Sequence, residues 1–97
     1  MYKVEIHSFN EGGHYHYCKY FEDSDYKNRT AYVEEELKEY FKYGYNLDDI
    51  YQHHEIVNNM DNSSIKIALL KLDKGYEDTA EIIIRKIVLD VEYRYEC

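Results

Sequence analysis

From Tyr2 to Phe9 the chain alternates. Tyr2, Val4, Ile6 and Ser8 fall on one side, and Lys3, Glu5, His7 and Phe9 on the other. A period of two is the mark of a strand with one face toward a core. Asn10-Glu11-Gly12-Gly13 follows as a turn, because glycine tolerates positive φ. Residues 14–22 alternate again, with Tyr15, Tyr17 and Phe21 opposed to His14, His16, Cys18 and Tyr20. The two strands are expected to form a hairpin. Pairing Phe9 with His14 across the turn sets His7 opposite His16 and Glu5 opposite Cys18.

The period then changes. After the polar break Glu22-Asp23-Ser24-Asp25, which can cap a helix, Tyr26, Thr30, Val33, Leu37, Tyr40 and Phe41 recur at three- and four-residue spacing. This predicts an amphipathic helix ending at Gly44. Asn46 reads as the cap of a second helix, with Asp48 and Asp49 in its first turn and Leu47, Ile50, Tyr51, His54 and Val57 as its inner stripe. Residues 65–72 fit either type. A strand is preferred because a turn at Lys74–Asp78 and a β-branched run follow. Ala80 to Tyr95 is long for one strand, so a bend is expected near Arg85-Lys86. The fold class expected is α+β: an antiparallel four-stranded sheet with two helices on one face, in the order β-β-α-α-β-β.

With 97 residues the chain is read as a single domain, residues 1–97. Its hydrophobic share of 44% is that of a globular chain rather than a disordered one. No apolar run approaches the roughly 18 residues of a membrane span. The alternating start lacks the apolar block of a signal peptide, so a cytoplasmic protein is expected, or one working in the cytoplasm of a host. Cys18 and Cys97 are too few for a disulfide scaffold and are read as free thiols.

Charge sharpens the picture. The net charge is −8, and residues 20–62 carry nearly all of it, with eleven acids against Lys27, Arg29, Lys38 and Lys42. A nucleic-acid binder needs the opposite sign, and an anionic membrane surface is disfavoured likewise. Tyrosine occurs 13 times and tryptophan never. AT-rich codon usage would enrich tyrosine, but so would a binding surface, where tyrosine adds contact area at little entropic cost.

Three constellations bear on chemistry. His7, His14, His16 and Cys18 would share one face of the hairpin with ligand types that suit Zn²⁺, though without a standard metal spacing. No third group orients a His-activated Cys18. His53-His54-Glu55 lacks the His-Glu-x-x-His of zinc proteases, and His54 is read as a core histidine. The carboxylates Glu22, Asp23, Asp25, Glu34, Glu35, Glu36, Glu39, Asp48 and Asp49 form either a solvated face or a surface that steers a basic partner. Glu36-Leu37-Lys38 lies on the helix, which argues against a nuclease core. No cofactor and no catalytic residue is implied.

Short, acidic and free of catalytic motifs, the chain resembles in general character the small phage- or mobile-element-encoded inhibitors of the anti-CRISPR type. Acidic immunity proteins and antitoxins share that character. The resemblance implies an inhibitor, monomeric or homodimeric, that blocks a basic nucleic-acid-handling protein by presenting carboxylates as a DNA mimic. Tyr32, Tyr43 and Tyr45, with Tyr26 and Tyr40, would supply the desolvated contacts. The alternative is a metal-binding protein or small metalloenzyme using the His/Cys hairpin face. A third reading is a module that pairs through an exposed edge strand at residues 86–95.

Overall fold

The structure is a computed structural model that describes residues 1–10, 12–57 and 62–87, with side chains at all of these except 54–57, 62, 63 and 73. The elements are β1 (Tyr2–Asn10), β2 (Gly13–Phe21), α1 (Tyr26–Lys42), β3 (Asn46–Leu47), β4 (His53–Val57), β5 (Asn62–Asp73) and β6 (Tyr76–Lys86). All pairs are antiparallel and form one sheet in the order β2-β1-β6-β5, with β3 and β4 both on the free side of β5.

The hairpin expectation holds to the residue. Phe9 pairs with His14, His7 with His16 and Glu5 with Cys18. The 65–72 segment is a strand, extended in both directions to Asn62–Asp73. It turns into β6 through Lys74 and Gly75, both at positive φ (51° and 84°). Two such residues between paired strands make the hairpin turn whose twist matches that of the strands.

Alternation sorts the faces. Val4 and Ile6 on β1, Ile82 and Ala80 on β6, and Leu69 on β5 point to one side and are buried. Phe21 from β2 and Val33 from α1 complete this core, with Leu37, Tyr40, Tyr45, Ile67 and Ile84 packed against it. The opposite face carries Lys3, Glu5, His7, His14, His16, Glu81 and Arg85. Helix α1 covers the apolar side alone.

α1 forms where Glu34-Glu35-Glu36-Leu37-Lys38-Glu39 concentrates strong helix formers. Asp25 occupies the N-cap position but its side chain makes no capping hydrogen bond. The C-terminus closes as expected at Gly44, whose φ is 94°. Tyr45 N–H donates to the Tyr40 carbonyl (3.0 Å) and Gly44 N–H to that of Phe41 (3.1 Å). The Tyr40 and Tyr45 rings meet edge-on at 5.0 Å. These are the two bonds and the apolar contact of a Schellman ending.

Two expectations are corrected, and a further one falls mostly outside the described residues. Among the described residues there is one helix, not two, and the sheet is larger than four strands. The segment expected as the second helix is β3, a loop and β4. The described side chains of its supposed inner stripe are exposed: Leu47 50%, Ile50 83% and Tyr51 61%. Asn, Asp, His, Tyr, Ile and Val are weak helix formers, so the 3.6-residue pattern had little behind it. The free backbone edge of β5 offered a ladder instead, and hydrogen-bond demand decided the outcome. The loop between β3 and β4 preserves that ladder. Asp48 N–H donates to the Ala68 carbonyl (2.9 Å). The Gln52 side-chain amide donates to the same carbonyl (2.8 Å) and accepts from Ala68 N–H (3.2 Å). One side chain thereby replaces a peptide unit.

Second, the chain enters the 86–95 segment from a central strand, since β6 lies between β1 and β5 and Lys86 pairs with Tyr2; residues 88–95, on which the edge-strand reading rests, lie outside the described residues. Third, Cys18 is disulfide-bonded, not a free thiol. The other cysteine of the chain, Cys97, lies outside the described residues.

Candidate functional site

The acidic residues named from sequence separate into groups. Glu34, Glu35 and Glu39 are exposed on the outer surface of α1. Among the described residues no ion pair neutralises them. Glu36 is turned toward the sheet and half-buried. Its Oε2 accepts from the Tyr17 hydroxyl at 2.8 Å. Burial first, and then the bond to the Glu36 carboxylate, push Tyr17 ionisation far above the ordinary tyrosine range. Glu36 is therefore engaged with the hairpin at the surface.

Glu22, Asp23 and Asp25 sit in the β2–α1 connection, with Glu22 and Asp23 exposed. Asp23 binds the N-terminal ammonium of Met1, and that hydrogen bond holds its carboxyl below the usual value. Asp48 and Asp49 lie in the β3–β4 loop instead of a helical first turn. Asp48 Oδ1 accepts from Ile50 N–H at 3.3 Å. Apart from Glu36, the carboxylates thus fall in three places: the helix start, its outer face and the β3–β4 loop beside β5.

The tyrosines also divide. Tyr32, Tyr40 and Tyr45 are half-buried, and burial raises the pKa of each. Tyr40 bonds Ser8 Oγ through its hydroxyl at 2.5 Å. Lys19 Nζ stands 5.2 Å from the Tyr32 ring centroid, in cation–π range. These residues hold α1 on the sheet. Tyr43, at 61% exposure, is free to meet a partner, together with Phe41 and Leu47 nearby in the chain. Phe41 and Leu47 were read as inward-facing; their exposure was not legible from spacing. The apolar residues exposed around the end of α1 are of the kind that marks an interaction surface.

The hairpin histidines do gather. His7 Nδ1 lies 3.0 Å from His14 Nε2, and the His7 ring stacks on those of His14 and His16 with both centroid separations at 5.3 Å. Phe9 stacks on His14 at 4.4 Å. Yet parallel rings do not converge their nitrogens on one point. Among the described residues no three His, Cys, Asp or Glu side chains are arranged to hold a metal. The disulfide further removes Cys18 as a thiolate ligand. His53 is exposed on β4, and the His54 side chain lies outside the described residues.

Beside this cluster Glu5 Oε2 accepts from Arg85 Nε at 2.6 Å, and Lys3 Nζ lies 3.3 Å from Glu5 Oε1. Burial pushes the Glu5 pKa up, but the Arg85 bond and the two positive charges outweigh it, and the net shift is down. Nothing here poises a carboxylate for acid–base work at neutral pH. Among the described residues no helix is long and apolar enough to cross a membrane. Comparison of the chain with protein-family models, curated proteins and solved structures finds no match.

Proposed function

We propose that the protein is a small protein-binding inhibitor, phage- or mobile-element-encoded and of the anti-CRISPR kind in character. It acts by laying the outer face of α1 on a basic nucleic-acid-handling partner. The observation that carries this reading is the row of exposed, unneutralised carboxylates Glu34, Glu35 and Glu39, followed along the chain by exposed Phe41, Tyr43 and Leu47. Carboxylates on one surface steer association and make it salt-sensitive. The apolar and tyrosine side chains at the end of the helix supply the desolvated contact that exposed charge does not. Glu36 is left out of the contact set because Tyr17 holds it, and Asp23 because the N-terminus does. Asp48 and Asp49 belong to the rim.

The compartment proposed is the cytoplasm, where such a partner works. Disulfides are rare in a reducing cytoplasm, so the disulfide at Cys18 counts against this compartment, and thiol labelling of protein taken directly from cells tests it: Cys18 found reduced supports the cytoplasm. Oxidised Cys18 would place the protein elsewhere.

The test of function is capture. The immobilised chain is exposed to lysate of its host and eluted with stepped salt, alongside the triple variant Glu34→Lys, Glu35→Lys, Glu39→Lys. A basic nucleic-acid-binding protein released at moderate salt, and held at least about tenfold more weakly by the variant, supports the reading. Equal retention on both chains, or no such protein on either, removes it.

A further inference from the structure

A cavity of about 270 Å³ lies between the first half of α1 and the end of the sheet. Tyr2, Tyr26, Val33, Ile65 and Ile84 give it mainly apolar walls, and Arg29 stands in the wall beside them. The Arg29 guanidinium carbon is 3.7 Å from the Tyr2 ring centroid and 5.3 Å from that of Tyr26. These contacts set the guanidinium against both rings. They do not satisfy its N–H groups, because a ring face is no lone pair. Arg29 Nη1 is buried, and no described group accepts a hydrogen bond from it.

A buried donor without an acceptor is costly and rare, and in a native structure it asks for a reason. A charged donor costs more than a neutral one. Here the donor is held in a wall of an open apolar cavity by two aromatic rings. An acceptor arriving from outside would complete it.

We propose that this cavity binds a small molecule with one carboxylate on an aromatic ring or short apolar chain. Arg29 takes the carboxylate, and Val33, Ile65 and Ile84 take the apolar body. The chemistry of each part follows from the walls. The planar fork of arginine matches a carboxylate better than any other side chain does. Thr30, which also lines the cavity, brings a hydroxyl as a further donor. A cavity of roughly 150 Å³ is enough for benzene, so the volume here takes a ring and a short carboxylate arm. Glu34 stands exposed at the mouth. Its charge opposes a multiply charged anion such as inorganic phosphate more than a singly charged one. A ligand needs apolar area as well as its single charge. The site shares Glu34 with the partner-binding reading but no other residue, and its test reads Val33, Ile65 and Ile84, which that reading does not use.

The experiment is a methyl-detected NMR titration of the intact chain with phenylacetate. Matched probes are 2-phenylethanol, which has no charge, and inorganic phosphate, which has no ring. Phenylacetate should shift the methyl signals of Val33, Ile65 and Ile84. It should bind at least about tenfold more tightly than the alcohol, the factor that a charge-assisted hydrogen bond carries. Phosphate should leave those methyls unmoved. In Arg29→Gln the acid and the alcohol should bind within about threefold of each other. Because the wild-type comparison already reads charge selectivity, a variant that fails to fold does not leave the question open. Absence of methyl shifts with phenylacetate, equal binding of acid and alcohol to the wild type, or phosphate acting at the same methyls would each overturn the proposal.

Discussion

The two outer positions of the sheet are filled in opposite ways. On one side β2 runs beside β1 without interruption, from Tyr2–Phe21 to Asn10–Gly13. On the other, β5 is lined first by β3, at Leu69 and Leu70, and then by β4, from Asn62 to Lys66. Between them the loop at residues 48–52 departs from the ladder, and Gln52 fills the gap with its side-chain amide. The first edge closes a short turn between adjacent segments, which costs little chain entropy, and it is fastened at its far end by an apolar anchor. The second edge owes its existence to the unpaired backbone of β5 and to one polar side chain.

The largest test of this difference removes the anchor. Phe21 is 5% exposed, and its ring lies 5.6 Å from that of Tyr32 on α1. Phe21→Ala should cost about 3 kcal/mol, the lower end of the range for a buried phenylalanine because β2 is an edge strand. Urea unfolding should show the loss in the midpoint with little change in slope. A cost under about 1 kcal/mol would mean that the hairpin holds without its anchor, and the contrast with the other edge would fail.

The same contrast explains what was legible in the sequence. β1, β2 and their register follow from alternation on either side of Gly12-Gly13, since a one-residue slip would turn Val4 and Ile6 to solvent. The helix end at Gly44 follows from a glycine where a left-handed residue is needed. β3 and β4 leave no such mark. Leu47, Ile50, Tyr51, His54 and Val57 carry a helical spacing, yet the first three are exposed, and the pairing that does form depends on β5, which comes later in the chain. The carboxylates were legible as a group from composition, but not the diversion of Glu36 to Tyr17 or of Asp23 to Met1, which depend on neighbours brought by the fold. Arg29 gave no signal at all. It was one of four bases among eleven acids in residues 20–62, and burial of its Nη1 beside a cavity distinguishes it.

A smaller effect should follow at the second edge. Gln52→Ala leaves Ala68 N–H without its acceptor, while Asp48 N–H still serves the Ala68 carbonyl. Ala68 is buried, so the orphaned donor should cost about 1–2 kcal/mol. Hydrogen exchange localises the loss. The Ala68 amide should exchange faster by an order of magnitude or more, and the amides of Val4 and Ile6 should slow or quicken only with global stability. Uniform acceleration across β1 and β5 would show that the two edges unfold as one unit rather than separately.

The finest test concerns the turn end of the β1–β2 edge, where His7, His14 and His16 stack. Burial, the largest influence, lowers the His7 pKa from its usual 6.5; the negative Glu5 and Glu81 oppose this, and the neighbouring histidines His16 and His14 reinforce it. The sign is then determined. The unfolded chain takes up the His7 proton more readily than the folded one, so stability is greatest above about pH 6.5 and falls as the pH drops through the folded value. Glu5, also lowered, adds a loss of the same sign, but only at more acid pH, below its usual 4.5. The two windows are separable in a melting series. Between about pH 7.5 and 5.5 the wild type should lose Tm on acidification. His7→Phe keeps an aromatic ring in the stack without a proton to gain, and should flatten that interval while leaving the acid limb unchanged. A flat wild-type profile over the interval would mean that the histidine stack opens to solvent at no cost, and that the β2 edge is secured by Phe21 at one end only.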